Sequence, residues 1–249
     1  MLPSSLGAAR SVALVIPVLN EAAAIGWVVG RVPRDVVQEV IVVDGGSRDG
    51  TADRAAAAGA RVIAERRHGY GRACATGAAQ TQADIVAFAD GDGSDDPAAL
   101  PDLLAPIVAG SAHLVLGART FMEAGALPAH AVLANRMAAW LIRSRWHQPV
   151  TDLASFKVLR RQTLLELRMS EATYGWTLEM IVKTARRHLR IEELPLAYHR
   201  RQGGVSKVSG NLGTSVKAAS AMLGTFRRHA FGPLRAGTLL PEPARQAST

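Results

Sequence analysis

The feature that most restricts the fold of this chain is a regular alternation of apolar segments and helix-forming segments in its first hundred residues. Four apolar segments are typical of buried strands, at residues 11–19, 40–43, 61–64 and 84–89. The segments between them have helical spacing, as where Ile25, Val28 and Val32 fall on one face. Strands and helices that alternate at this short spacing predict an α/β fold with a mostly parallel, Rossmann-like sheet flanked by helices.

Acidic residues follow three of these strands at the end where each strand finishes. Glu21 comes after the first strand, Asp44 after the second, and Asp90 and Asp92 after the fourth. Ligands of open parallel sheets collect outside the carboxyl ends of the strands. We therefore expect these carboxylates, although they are far apart in sequence, to converge on one ligand site.

The segment 83–97, ADIVAFADGDGSDDP, carries the most specific chemistry. Asp90 and Asp92 lie two residues apart directly after a strand, and in extended backbone such side chains point to the same side. Carboxylate oxygens suit a hard divalent cation such as Mg²⁺ or Mn²⁺, so we predict a metal site here. Gly91 and Gly93 are expected to let a bulky ligand approach the backbone.

The next two carboxylates are interpreted differently. Asp96-Pro97 fits an N-cap followed by proline at the first helical position. For Asp95 and Asp96 we therefore predict a solvated acidic loop that caps the next helix.

Composition limits the partners. The chain has 249 residues, 48% of them hydrophobic, which is enough for a large core, and its net charge of +8 favours an anionic partner. Nucleic acid, anionic lipid and a phosphorylated substrate all qualify, but aromatic residues make up only 5% and are not interleaved with basic ones. The single cysteine, Cys74, excludes a disulfide framework within the chain and fits a reducing compartment. No apolar run approaches the length of a membrane span, so a soluble or peripheral protein is expected.

The second half contains further strands and helices around a basic loop. Strands are predicted at 112–117 and 190–198, and helices at 132–144, 161–168, 171–188 and 212–226. The segment 151–158, which contains Asp152, is expected to lead into the helix at 161–168. The glycine-rich basic loop RRQGGVSKVSG occupies 200–210, and residues 231–249 are expected to be a disordered tail.

Several motifs occur in unbroken order over residues 11–215. They are IPVLNE at 16–21, VVDGGSRDGT at 42–51, GYGRACATGA at 69–78, DGDGSDDP at 90–97, GAR at 117–119, YGWTLEM at 174–180 and RQGGVSK at 201–207. Together they resemble the family 2 glycosyltransferases, with the GT-A fold, and most closely the polyprenyl-phosphate (dolichyl-phosphate-type) mannosyl- and glucosyltransferases. The resemblance implies a hexosyltransferase with a leader at 1–10 and a single GT-A domain at 11–230. Its nucleotide-binding half would be 11–119 and its acceptor half 120–230, with the basic loop and last helix as an extension.

The resemblance also implies roles for single residues. Residues that would line the nucleotide-sugar pocket are Pro17, Glu21, Asp44, Asp90 and Arg119. Asp90 and Asp92 match the family's DxD metal motif, and Ser94 stands where a further metal ligand is found. Arg119 and Arg201 match basic residues that face phosphates, and Ser206 and Lys207 complete the loop that would bind the acceptor phosphate. In one departure, Ser155-Phe156-Lys157 stands where many relatives have a glycine and an arginine.

The acceptor determines whether a base is needed. A lipid phosphate is already ionised near neutral pH and needs none, whereas a hydroxyl acceptor would require one, with Glu179 or Asp152 as candidates. Glu179 is equally well interpreted as a helix-surface partner of Lys183 at i+4.

The implied partners are a UDP- or GDP-linked sugar, a polyprenyl phosphate and a membrane surface, without nucleic acid. We expect a cytoplasmic protein, peripheral on the inner face of the plasma membrane. Its loop 200–207 and helix 212–228 would lie on the leaflet, unless that helix simply packs on the core.

Three other classes of protein fit the sequence less well. A sugar nucleotidyltransferase would place a glycine- and arginine-rich loop directly after the first strand, and a NAD-binding protein would have GxGxxG there. The first strand instead ends in Pro17-Val18-Leu19-Asn20-Glu21. A nucleic-acid binder would carry basic residues at the strand ends, where this chain has acidic ones.

Overall fold

The computed structural model describes residues 11–123, 126, 129–202, 212–232 and 238–240. Within this part of the chain the strands form one seven-stranded sheet. They are β1 (Val12–Val18), β2 (Glu39–Asp44), β3 (Arg61–Ala64), β4 (Ile85–Phe88), β5 (Leu114–Met122), β6 (Lys157–Arg160) and β7 (Ile191–Tyr198).

The sheet is mostly parallel, as the sequence predicts. Its order is β3-β2-β1-β4-β6-β5-β7, and β6 alone runs antiparallel to both of its neighbours. From sequence, the first two residues of β6 were expected to belong to the segment 151–158 that leads to a helix. The strand is short, at four residues, and begins with a lysine, so its local pattern is a weak strand signal.

All of the predicted helices are present. They are α1 (Ile25–Gly30), α2 (Thr51–Ala57), α3 (Tyr70–Ala79), a 3-10 turn (Pro97–Ala99) that continues into α4 (Leu100–Ala109), α5 (Ala129–Trp146), α6 (Arg161–Leu167), α7 (Trp176–Arg186) and α8 (Leu212–Phe231). Among the described residues, no helix is both long enough and apolar enough to span a bilayer.

The core lies on both faces of the sheet, because successive strand residues point to opposite sides. In β1, Leu14 and Ile16 pack into one cluster with residues of α1 and α4, and Val15 packs into the other with residues of α3 and α7. Burial on both faces explains why the parallel strands are nearly continuous apolar runs. It leaves the carboxyl ends of the strands as the place where polar side chains gather.

Part of the predicted tail is ordered. Leu239 donates its backbone N–H to the carbonyl oxygen of Met169 at 2.7 Å, and Leu240 is 3% exposed within the core. The prediction of a disordered tail is therefore wrong for residues 238–240, where two adjacent leucines bury apolar surface. The leader 1–10 and the segment 203–211, with Ser206 and Lys207, lie outside the described residues.

Candidate active site

The turns after β1 and β2 are fastened together by hydrogen bonds. Asn20 donates its N–H to the hydroxyl of Ser47 at 2.8 Å, and Glu21 donates its N–H to the hydroxyl of Thr51 at 2.8 Å. The Asn20 side chain in turn accepts the N–H of Arg48 at 2.9 Å. These contacts fix the position of Glu21 at the carboxyl edge of the sheet, where its side chain is 7% exposed.

Asp44 is the last residue of β2 and lies beside Val18 of β1 in the sheet register. Its carboxylate accepts the N–H of Ser47 at 3.0 Å and the Ser47 hydroxyl at 2.5 Å. Pro17 pairs with Val43 one position earlier, so Pro17 and Asp44 lie at the same edge of the sheet. The structure thus brings two of the residues expected at the nucleotide close together.

The loop after β4 holds Asp92 and Ser94. The Asp92 side chain is 6% exposed, and its Oδ1 accepts the N–H of Ser94 at 2.9 Å and the Ser94 hydroxyl at 2.5 Å. The chain that follows β7 crosses this loop, where His199 donates its N–H to the carbonyl oxygen of Ser94 and Gln202 to that of Asp92, at 2.9 and 3.0 Å. The start of the basic loop is therefore docked on the DxD segment.

Arg201 connects the two strand ends. Its guanidinium donates to Oε1 of Glu21 at 2.6 Å and forms an ion pair with Oδ2 of Asp92 at 2.7 Å. The carboxylates of β1 and β4, which are 71 positions apart in sequence, thus converge on one cation. The sequence analysis expected this convergence and expected Arg201 to face phosphates. In the structure Arg201 lies between Glu21, which was expected to line the nucleotide pocket, and Asp92, which was expected to bind the metal.

The structure shows why glycine is needed at positions 91 and 93 of the DGD loop, and the reason differs from the one expected from the sequence. A Cβ at Gly91 would come within 2.5 Å of a methyl group of Val18 and 3.2 Å of one of Ile16. Gly93 has a φ of +78°, and a Cβ there would lie 2.9 Å from Gln202. Both glycines therefore permit close packing of the loop against the protein itself, rather than the approach of a bulky ligand.

Asp90 lies beside a buried lysine that sequence reasoning did not place. Burial raises the pKa of Asp90, and the neighbouring Asp92 raises it further, while Lys157 opposes the increase. Lys157 is fully buried, and its Nζ donates to the Ser155 carbonyl oxygen at 2.8 Å and to the Thr177 hydroxyl at 3.0 Å. Burial lowers the pKa of Lys157.

The prediction of a solvated acidic loop is wrong for Asp95, whereas the predicted helix cap at Asp96 is present. Asp95 is 3% exposed rather than solvated, and it accepts the hydroxyl of Ser155 at 2.8 Å. Burial, followed by the charge of Asp90, raises the pKa of Asp95 to about 7. Asp96 caps the 3-10 turn by accepting the N–H of Ala98 at 2.9 Å, and it also pairs with Arg31.

Arg119 of β5 and Asp152, in the segment before β6, form a second charged pair. Two nitrogens of Arg119 donate to the two carboxylate oxygens of Asp152, both at 2.6 Å, and the guanidinium lies 5.1 Å from the centre of the Tyr198 ring. The pair lines a cavity of about 220 Å³ together with Asn135 and Arg136 of α5. Sequence reasoning missed these last two residues. No local signal distinguishes them, because α5 also carries His130, Arg143, Ser144 and Arg145.

Glu179 pairs with Lys183 as the second interpretation expects, but the pair is buried in the core and does not lie on the helix surface. Its carboxylate is fully buried, pairs with Lys183 at 2.7 Å, and accepts the N–H groups of Ser170 and Glu171 at 2.9 and 2.7 Å. These contacts join α7 to the segment before it. The general-base alternative for Glu179 therefore has no support in the structure.

A divalent cation fits the loop after β4. Among the described residues, no group of three or more His, Cys, Asp or Glu side chains is arranged to hold a metal ion. Asp90, Asp92 and Ser94 offer two carboxylates and a hydroxyl, the hard oxygen donors that Mg²⁺ and Mn²⁺ prefer. The raised pKa of Asp90 beside Asp92 marks a repulsion between carboxylates that a cation would relieve. The remaining ligands would come from a bound substrate.

Comparison with known proteins identifies the family. The model of Glycosyl transferase family 2 matches residues 13–166. The chain belongs to this family. A glycosyltransferase of Mycobacterium tuberculosis of uncharacterized activity is 38% identical to this glycosyltransferase over 211 residues, which cover 85% of this chain and 95% of that protein. The undecaprenyl-phosphate mannosyltransferase of Micrococcus luteus is 32% identical over 217 residues, covering 80% and 87%.

A solved structure supports the same conclusion. Glucosyl-3-phosphoglycerate synthase from Mycobacterium tuberculosis, in complex with Mn²⁺, UDP-glucose and phosphoglyceric acid, matches with a TM-score of 0.76 and 27% identity. The match covers 92% of this chain and 82% of that one. The predicted GT-A fold and the predicted glycosyltransferase activity are thereby confirmed.

Proposed function

We propose that this glycosyltransferase moves a hexose from a nucleoside diphosphate sugar to a polyprenyl phosphate at the cytoplasmic face of the plasma membrane. The observation that carries the proposal is the meeting of Glu21, Asp92 and Arg201 at the carboxyl edge of the sheet. A site that combines carboxylates for a metal with an arginine for phosphate suits a diphosphate leaving group.

The donor would lie along the ends of β1, β2 and β4. Glu21, Asp44 and Pro17 lie together there, and the related synthase binds UDP-glucose with Mn²⁺. Asp90, Asp92 and Ser94 would hold Mg²⁺ or Mn²⁺, which when bound would neutralise charge on the leaving diphosphate. Arg201 would contribute a second positive charge at the same place and orient the phosphates through its planar guanidinium.

The acceptor is inferred from the state of the two candidate bases. Asp152 is paired with Arg119, and Glu179 with Lys183, so each carboxylate already neutralises a neighbouring cation. A lipid phosphate attacks through an oxygen that is ionised near neutral pH, and such a reaction needs no carboxylate to remove a proton. The undecaprenyl-phosphate acceptor named for the Micrococcus luteus relative supports this choice.

The direct test has two stages. A thermal-shift screen with UDP-, GDP- and dTDP-linked sugars, with and without Mn²⁺, identifies the donor, because a ligand of the folded state raises its stability. Transfer of the labelled sugar is then measured to polyprenyl phosphate, to the same polyprenol without phosphate, and to 3-phosphoglycerate. We expect transfer to polyprenyl phosphate and none to polyprenol. Transfer to phosphoglycerate alone would reject the lipid acceptor.

A second candidate is transfer to a hydroxyl of a small phosphorylated acid. The cavity that Arg119, Arg136 and Asp152 line favours it, because it offers two cations and a carboxylate, and the related synthase binds phosphoglyceric acid. In that reaction Asp152 would be the base, and Asp152→Asn would remove the acidic limb of the pH–rate profile as well as lowering kcat. With a lipid phosphate acceptor the same variant would only loosen Arg119 and leave the shape of the profile unchanged.

A further inference from the structure

The helix α5 exposes a row of large apolar side chains on its outer face. Leu133, Met137 and Trp140 are 61%, 58% and 57% exposed. Their spacing of four and three residues places them on one side of the helix, so they form a continuous strip. Single exposed apolar residues are common on protein surfaces, but three in a row on one helix face indicate a contact surface.

The apolar strip is not the side of α5 that packs against the core. The opposite side of α5 carries Ala139 and Ile142, which are fully buried in the core, and the helix packs on α7 and α8. A helix that only covers the core would carry polar residues on its outer side. The outer side of α5 instead combines the exposed apolar strip with the polar residues Arg136 and Ser144, and only the inner side is buried in the core.

The Asp, Glu, Lys and Arg residues of α5 all have one sign of charge. The helix contains Arg136, Arg143 and Arg145, all exposed, and no aspartate or glutamate. Basic side chains beside leucine and tryptophan on one helix are the composition of a segment that lies in the headgroup region of an anionic bilayer. A second protein surface of ordinary composition would not require this uniform charge.

The strip is continuous with the cavity on the acceptor half. Val132, Asn135 and Arg136 line the cavity, and Leu133 and Met137 are their neighbours in sequence on the outer side. A phosphate in the cavity and an apolar chain leaving it would therefore both lie along α5.

We propose that the outer face of α5 is the membrane-docking surface of this glycosyltransferase and that its occupant is an anionic phospholipid bilayer. Leu133, Met137 and Trp140 insert among the acyl chains near the headgroups, and the arginines contact lipid phosphates. This orientation turns the cavity with Arg119 and Arg136 toward the bilayer. That consequence rests on the proposed lipid acceptor, whereas the docking itself does not.

The test compares matched variants in vesicle flotation. The variant Leu133→Gln/Met137→Gln/Trp140→Gln removes the strip, and Trp27→Gln serves as control, because Trp27 is a half-exposed tryptophan on α1. Vesicles contain either phosphatidylcholine alone or a mixture of phosphatidylcholine and phosphatidylglycerol. We expect the wild type and the control to float with the anionic vesicles, and the partition coefficient of the strip variant to fall by about tenfold or more. Arg145→Glu should weaken binding to the anionic vesicles only.

A second measurement reports the contact directly. Brominated lipids quench tryptophan fluorescence at short range, so part of the wild-type emission should be quenched and Trp140→Phe should lose that part. Circular dichroism and thermal unfolding of each variant confirm that it is folded. Folding is expected because Leu133, Met137 and Trp140 are more than half exposed and Trp27 is 36% exposed.

The outcomes separate the two proposals. Equal flotation of the wild type and the strip variant would overturn the docking surface, even if sugar transfer to polyprenyl phosphate is observed. Binding through the strip without any transfer to lipid phosphate would support docking and reject the lipid acceptor. If the wild type does not bind vesicles but is a dimer by light scattering, and the strip variant is a monomer, then a second copy of the chain covers the outer face of α5. The proposal would then be wrong.

Discussion

Arg201 provides the sharpest prediction, because it holds two carboxylates that the proposed metal and donor would also need. Its guanidinium is 26% exposed, while the side chains of Glu21 and Asp92 are 7% and 6% exposed. Arg201→Met keeps an unbranched apolar stem, which is shorter than that of arginine, and removes the guanidinium and its charge. Without a metal ion, the variant leaves two nearly buried carboxylates without this cation.

The magnitude follows from the two contacts. A hydrogen bond to a charged group contributes about 1.5–3 kcal/mol, and loss of one partner from a buried ion pair costs about 3–5 kcal/mol. Because Arg201 is partly exposed, we take about 3 kcal/mol for both contacts together. For a chain of this size that corresponds to a decrease in Tm of roughly 6–12 °C without metal.

The same substitution should strengthen metal binding. In the wild type, Mn²⁺ must compete with Arg201 for Asp92, and one such contact is worth about 1.5 kcal/mol, or about tenfold in affinity. Titration calorimetry without nucleotide should therefore show tighter Mn²⁺ binding to Arg201→Met, and Mn²⁺ should restore much of its lost Tm.

The control is Arg31→Met, which breaks an ion pair with Asp96 on the same loop. Its partners are 47% and 28% exposed, so its loss should change both Tm and Mn²⁺ affinity only slightly. If Arg201→Met has the wild-type Tm and Mn²⁺ affinity, the competition between Arg201 and the metal does not exist.

Three further predictions follow from the same geometry. Asp92→Asn should abolish metal-dependent sugar transfer while the protein stays folded; normal turnover with unchanged Mn²⁺ dependence would reject the metal assignment. Asp44→Asn should raise the KM for the donor more than it lowers kcat. Ser47→Ala is the control for the turn, because the Ser47 hydroxyl donates to Asp44. A change in kcat alone would indicate that Asp44 acts in the chemical step and not in donor binding. Arg67 and Thr76 lower the pKa of Glu65 to about 2, so Glu65 stabilises the fold above its unfolded pKa of about 4.5, and this contribution is lost as pH falls toward 2. The difference in urea midpoint between the wild type and Glu65→Gln should shrink over that range, and a constant difference would contradict the assignment.

The fold was predictable because its signals are local. The apolar runs of β1, β2 and β4 end at Glu21, Asp44 and Asp90, and the parallel arrangement brings strand ends to one edge. The Asp96-Pro97 cap is also a local pattern, and the structure has it as expected. The same logic anticipated that Glu21 and Asp92 would meet.

The errors arose where the environment of a residue depends on distant parts of the chain. Lys157 enters the sequence analysis only as part of the segment that stands where many relatives have a glycine and an arginine. In the structure, β6 inserts between β4 and β5 and carries this lysine into the core. Asp95 looks like part of a polar loop, yet Ser155, 60 residues later, provides its hydrogen bond. Neither pairing leaves a periodic signal. The available hint was that a single lysine interrupts the otherwise uncharged segment ASFKVL at 154–159.

Two basic residues, Lys157 and Arg201, lie beside the DGD loop and differ in how deeply they are buried. Lys157 lies beneath the loop, with its Nζ held by Ser155 and Thr177, and it is fully buried. Arg201 lies on the outer side, is partly exposed, and belongs to the segment after the last strand. Lys157 therefore opposes the raised pKa of Asp90 from within the core, whereas we propose that Arg201 gives up Asp92 and turns its guanidinium to a phosphate beside it. A single basic residue could not do both, because a buried ammonium without its partners would cost too much to move.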